Sequence, residues 1–178
     1  ALWQNLDFVM RYAPEVVLVA SGDHVYSMDY RPLIREHLQT GADLTMALKR
    51  VPYDEAPLYG TAVLDDDGRV LRYQEKAKNP EGDLASLTVY AFKTAVLADR
   101  LRENQAEGRD YQIYSEIIPR MVREGAHVRG HVFDGYWQYA RTLDAYYAAH
   151  MDIVAPEAPD LAAWRVRTNL DAGTMGDP

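Results

Sequence analysis

With 178 residues, 48% of them hydrophobic and 26% charged, the chain is long enough for one full hydrophobic core and has the balance of an ordinary globular protein. A net charge of −8 and the lack of any Lys/Arg cluster interleaved with aromatics argue against nucleic acid, and no run approaches the roughly 18 apolar residues a membrane helix needs. Zero cysteines remove disulfides, thiolate catalysis and cysteine metal sites together, which suits a cytoplasmic address without requiring one.

Leu2, Leu6, Val9 and Met10 recur at helical spacing, and Pro14 closes that segment. Residues 16–20 are a short apolar run, β-branched or small, which predicts a strand able to lie inside a sheet. The run stops at Ser21-Gly22-Asp23-His24, where Gly22 permits a tight turn and Asp23 is set at the strand's carboxyl end. Open α/β sheets bind ligands at that rim, and a carboxylate there suits a hard cation such as Mg²⁺. The same Asp23 also reads as a turn residue or a cap, and from the residues alone both readings stand. Asp29 is a candidate N-cap for a helix over 29–39, with Gly41 as its stop. Residues 43–48 read as a second strand, laid parallel to the first by a right-handed crossover. The alternation of helix and strand defines the α/β class.

Farther on, residues 59–64 and 70–74 flank Asp65-Asp66-Asp67-Gly68, a hairpin with an acidic turn that lacks the spacing of a calcium loop. A strand is expected over 84–92, helices over 94–102 and 114–123 with Pro119 as a local complication, a strand over 127–133 and a helix over 143–154 capped by Thr142. Residues 156–178, rich in Pro, Ala and Asp, are expected to be a loosely structured tail or linker, and residues 1–155 the domain itself. No Gly-rich phosphate loop occurs, and the chain opens without an evident cap, so an incomplete domain with that loop upstream is the expectation.

Several polar groups are candidates for chemistry. Lys76, after a strand and ahead of Pro80, can meet a phosphate as a point charge or simply sit in a charged turn. Ser86 brings a hydroxyl to a strand mouth, for a sugar hydroxyl or for packing. Tyr111, Tyr114 and Glu116 form a further group. The aromatic stretch from Tyr136 to Tyr139 can wall a sugar or base pocket. The five histidines are scattered without zinc-site spacing, and no Ser-His-Asp set assembles, since adjacent Asp23 and His24 are expected to face apart.

Residues 18–30, Leu-Val-Ala-Ser-Gly-Asp-His-Val-Tyr-Ser-Met-Asp-Tyr, followed by Glu75-Lys76-Ala77-Lys78-Asn79-Pro80, Ala85-Ser86, Ile117-Ile118-Pro119 and Gly135-Tyr136-Trp137, resemble the signatures of bacterial glucose-1-phosphate adenylyltransferases (ADP-glucose pyrophosphorylases) across residues 1–170. The resemblance implies a Rossmann-like mixed, mostly parallel sheet flanked by helices, of the nucleotide-diphospho-sugar transferase type, lacking its N-terminal part and a following β-helix. It implies ATP and glucose 1-phosphate as substrates, ADP-glucose and pyrophosphate as products, glycogen synthesis as the setting, Mg²⁺ as cofactor and a homo- or hetero-oligomer. Asp23 matches the first metal-binding carboxylate and Lys76 the lysine gripping the sugar phosphate, the two expected catalytic groups. Glu75 and Ser86 match sugar contacts, and the four are expected to meet at one cleft.

Departures from the pattern accompany the match. Where the family has YWRDVGT, this chain has Tyr136-Trp137-Gln138-Tyr139-Ala140-Arg141-Thr142, so Tyr139 replaces the second metal-binding aspartate. A phenol is neutral at pH 7 and cannot stand in for a carboxylate. Thr88 replaces the glycine of the family's SMGIY strand, adding bulk beside the expected ligand. Two functions follow from the resemblance: a divergent adenylyltransferase, or a catalytically silent paralogue serving as a regulatory or structural partner of an active subunit.

Overall fold

The structure, a computed structural model, describes residues 1–155 and Ala158. In chain order its elements are α1 (Leu6–Arg11), β1 (Val16–Ala20), β2 (His24–Tyr26), α2 (Tyr30–Thr40), β3 (Leu44–Arg50), β4 (Gly60–Leu64), β5 (Val70–Glu75), β6 (Leu84–Lys93), α3 (Thr94–Ala106), α4 (Ile118–Arg123), β7 (Val128–Val132), β8 (Trp137–Tyr139) and α5 (Leu143–Val154). They fall into two units, residues 1–21 with 30–134, and residues 22–29 with the chain from 135 onward.

In the first unit β6 organises the sheet. Every residue from Leu84 to Phe92 except Thr88 is buried, the pattern of a strand covered on both faces. One edge of β6 pairs antiparallel with β3, and the other with β4 and then β1, giving the order β5-β4-β6-β3-β7 with β1 beside β6. Tyr90, Phe92, Leu44, Met46 and Leu48 form the sheet's share of the core, against Leu97 and Leu101 of α3 and Ile118 and Met121 of α4.

This arrangement corrects the expectation of a mostly parallel sheet. The sheet is mixed and mostly antiparallel, with β3 and β7 the parallel pair. β1 and β3 run in the same direction, as a crossover through α2 requires, but they are not neighbours because β6 lies between them. The crossover rule fixes direction and hand, whereas adjacency is decided by which strand takes the slot. The doubly buried β6, far along the chain, takes it.

Between Met46 and Leu48 the β6 register jumps from Tyr90 to Ser86, so Leu87, Thr88 and Val89 oppose the single Ala47. At this bulge β6 exchanges β4 for β1 as its edge partner, and the Ser21 amide donates to the Thr88 carbonyl at 3.1 Å. Thr88 has φ of +54°, a left-handed backbone that bulges usually assign to glycine.

Local signals held elsewhere. Gly41, at φ +63°, ends α2, its amide bonding Leu38 and that of Ala42 bonding His37, the double closure of a Schellman turn. The acidic hairpin turn is self-satisfied: Asp65 Oδ1 accepts from the amides of Asp67 at 3.1 Å and Arg69 at 2.8 Å. Pro119 is accommodated by a π-helical turn over Ile113–Ile117, in which the Ile117 amide reaches back to Gln112 at 3.2 Å. Widening the turn there relieves the clash a proline makes with the carbonyl four residues earlier.

In the second unit β2 and β8 form a two-stranded antiparallel ribbon pairing His24 with Tyr139 and Tyr26 with Trp137. Strands of three residues are too short to show periodicity in the sequence. Thr142 caps α5 as expected, accepting from the Ala145 amide at 3.1 Å. Asp152 of α5 accepts from Tyr136 at 3.0 Å and Gln138 at 3.2 Å, which ties the helix to the ribbon. The expected tail, apart from Ala158, lies outside the described residues. No helix among them is long and apolar enough to cross a membrane.

Candidate functional site

In the first unit, Glu75 ends β5 and Tyr73, two residues earlier, shares its face. The Tyr73 hydroxyl donates to Glu75 Oε2 at 2.9 Å. Gly60, opposite Glu75 in the register, makes this possible, because a Cβ there would stand 2.1 Å from the Tyr73 oxygen and 2.6 Å from Glu75 Oε2. Ser86, buried on β6, lies with Oγ 3.1 Å from the Tyr90 hydroxyl, and the Tyr73 hydroxyl lies close to this pair. Burial pushes both phenols above their ordinary value, with the Glu75 charge pushing the same way, so they remain neutral donors. Glu75, Tyr73, Ser86 and Tyr90 thus form one continuous wall of a carboxylate and hydroxyls. Such a wall both donates to and accepts from alcohols.

Lys76 follows directly, exposed, with φ of +46°. Its amide donates to the Tyr59 carbonyl at 3.0 Å, which holds the left-handed turn. A non-glycine residue in that region carries strain that the surroundings must sustain, and such strain concentrates where a side chain must be aimed. The structure therefore brings Glu75 and Ser86 to one wall with Lys76 next in sequence to Glu75. Tyr73 and Tyr90 were missed from sequence. The Tyr73-x-Glu75 spacing on a strand was the available signal for the first. Tyr111, singled out earlier, stacks on Trp3 with centroids 5.5 Å apart.

Asp23 belongs to the second unit, at the open end of the ribbon, where its carbonyl accepts from the Ala140 amide at 3.3 Å. Contrary to the expectation that Asp23 and His24 face apart, His24 Nε2 lies 3.3 Å from Asp23 Oδ1. The cause is distant in sequence. Trp137 Nε1 donates to His24 Nδ1 at 2.7 Å, and an indole N–H can only donate, so Nδ1 is unprotonated and Nε2 carries the hydrogen toward Asp23. Burial lowers the His24 pKa, and the charge of Asp23 only partly counters it. Arg141 Nε lies 3.4 Å from Asp23 Oδ2, and its guanidinium sits over the Tyr139 ring, 5.1 Å from the centroid. Tyr139 in turn packs edge-on against His24, with centroids 4.6 Å apart.

This donor set does not fit Mg²⁺. One Asp23 oxygen faces an imidazole N–H and the other a guanidinium, and the residue across the ribbon is a phenol rather than a second carboxylate. Among the described residues there is no group of three or more His, Cys, Asp or Glu able to hold a metal ion.

The first unit thus combines a mixed α/β sheet with a wall of hydroxyls and a carboxylate, and Lys76 stands just past the end of β5. The family model described as nucleotidyl transferase matches residues 1–155, and the chain belongs to that family. It is 38% identical over 161 residues to glucose-1-phosphate adenylyltransferase of Desulfitobacterium hafniense strain Y51, covering 90% of this chain and 40% of the relative. It is 35% identical over 173 residues to that of Acetivibrio thermocellus, covering 94% and 40%. It is 36% identical over 177 residues to that of Clostridioides difficile strain 630, covering 97% and 46%. The chain thus spans less than half the length of these curated relatives.

Proposed function

We propose that the protein carrying this chain recognises glucose 1-phosphate and ATP and joins them into ADP-glucose, releasing pyrophosphate, in glycogen synthesis. The observation that carries this reading is the Glu75–Tyr73–Ser86–Tyr90 wall beside Lys76. Relatives named for glucose 1-phosphate, at 35–38% identity, support it. In this proposal Glu75 and Ser86 take the glucose hydroxyls, and the Lys76 ammonium neutralises the sugar phosphate. A phosphate oxygen of glucose 1-phosphate is already anionic, so it attacks the α-phosphorus of ATP without a general base, and the bond to the departing pyrophosphate breaks. The work left to the protein is alignment and charge stabilisation. Residues 1–155 are proposed as the C-terminal part of the catalytic domain and 156–178 as a linker, in a cytoplasmic homo- or hetero-oligomer.

Asp23 held by Arg141 favours a second reading, in which turnover is absent and the protein is a regulatory or structural partner of an active subunit. One assay separates them. Pyrophosphate release by the full-length protein is measured beside the Desulfitobacterium hafniense relative, with ADP-glucose binding measured by calorimetry. The adenylyltransferase reading expects glucose 1-phosphate-dependent release, slower by about 10²–10³-fold because an electrostatic partner of the reaction has changed. Binding with no release establishes the silent partner, and neither binding nor release rejects both.

A further inference from the structure

Resting on that reading of a phosphorylated ligand, we propose that Arg141 is a built-in cation that takes the place of a divalent ion at Asp23, so that this protein binds its ligand without a metal there. Arg141 Nε is 3.4 Å from Asp23 Oδ2, and the guanidinium is held from a second direction by the face of Tyr139. An exposed ion pair alone wanders among rotamers and contributes little. A guanidinium fixed by both a carboxylate and a ring is oriented before any ligand arrives.

The other oxygen of Asp23 is equally committed. His24 offers it an N–H because Trp137 occupies the opposite ring nitrogen, so the Trp137–His24–Asp23–Arg141 chain is consistent from end to end. A dication at Asp23 would have to sit in contact with a fixed like charge, and the residue across the ribbon is a neutral phenol rather than a second carboxylate. The side chains of Arg141 and Asp23 are 56% and 42% exposed, so an anionic ligand has access to the guanidinium. The planar fork of arginine suits phosphate oxygens.

The test is Mn²⁺ binding followed by electron paramagnetic resonance on the full-length protein, which needs neither substrate nor turnover. The expected result is that Asp23→Asn leaves the Mn²⁺ isotherm unchanged, whereas the double variant Tyr139→Asp/Arg141→Gly gains a site at least tenfold tighter. Arg141→Gln, at an exposed position, covers the case in which the double variant does not fold, and should by itself tighten Mn²⁺ binding a few-fold. A wild-type Mn²⁺ site that Asp23→Asn abolishes overturns the proposal, as does failure of the Arg141 variants to gain affinity. If the sugar-phosphate reading itself is wrong, ADP-glucose fails to bind while the Mn²⁺ results stand as predicted.

Discussion

The two units handle polar chemistry in opposite ways. The wall around Glu75 is packed and made of neutral hydroxyls, Tyr73 on the carboxylate and Ser86 on Tyr90, with space reserved by the missing side chain of Gly60. The ribbon around Asp23 is half-exposed and ionic, and it is built from aromatic rings and an arginine. Recognition of alcohol groups depends on many precisely placed, buried partners and tolerates little change. Neutralisation of charge needs only a cation at the right place, and a side chain can supply it. The two proposed tasks are separable: the departures at Tyr139 and Arg141 fall in the second unit, and the one at Thr88 falls in the first.

The strongest way to break this contrast is at Lys76, the positive charge proposed for the first unit's site. Lys76→Ala should weaken ADP-glucose binding by about 10- to 100-fold, the scale of a hydrogen bond to a charged group, as read by calorimetry. An unchanged affinity would remove Lys76 from the site. Next is Gly60→Ala, which forces the Tyr73 hydroxyl and Glu75 carboxylate apart. Overpacking of this kind costs about 1–3 kcal/mol, visible as a lower urea midpoint with weakened ligand binding. A variant of wild-type stability would show that the wall is slack.

A smaller effect of opposite sign is expected at Thr88. Left-handed backbone costs a residue with a Cβ roughly 1–2 kcal/mol, and glycine's extra unfolded-state freedom returns about 0.5–1 of it. Thr88→Gly should therefore stabilise the protein by about 0.5–1 kcal/mol, and destabilisation would mean the threonine side chain contributes more than its strain costs. The smallest effect is in pH. His37 is buried, its Nδ1 2.9 Å from the Thr45 hydroxyl, and burial lowers its pKa against the raising charges of Asp43 and Glu15. A histidine whose folded pKa is lowered contributes its full stability above the unfolded value of about 6.5. That contribution is lost as pH falls from there toward the folded value, because the unfolded chain takes up the proton first. Urea midpoints should decline below that pH, and the His37 ring should titrate below the ordinary value by NMR. A His37 midpoint above 6.5 would refute the account of its burial.

What the sequence made legible was local. The bounds of β1, the acidic hairpin, the Gly41 stop and the Thr142 cap depend on near neighbours, and each stands where its residues indicate. Adjacency in the sheet did not, because β6 lies far from β1 in sequence and no periodicity records which strand fills a slot. In the site, Tyr73 beside Glu75 was within reach of strand spacing. The turn of His24 toward Asp23 was not, since Trp137, which fixes the ring, lies far along the chain and on a strand of three residues. Thr88 stood out as a departure from the resembling pattern, and its positive φ supplies the physical reason a glycine suits that position.

The most direct test of the central claim is the affinity of the full-length protein for ADP-glucose, measured by calorimetry in Mg²⁺ and again in excess EDTA. Saturable binding is expected in both buffers, with dissociation constants agreeing within about twofold, a difference below about 0.4 kcal/mol. Binding that appears only with Mg²⁺, or no binding in either buffer, would contradict it.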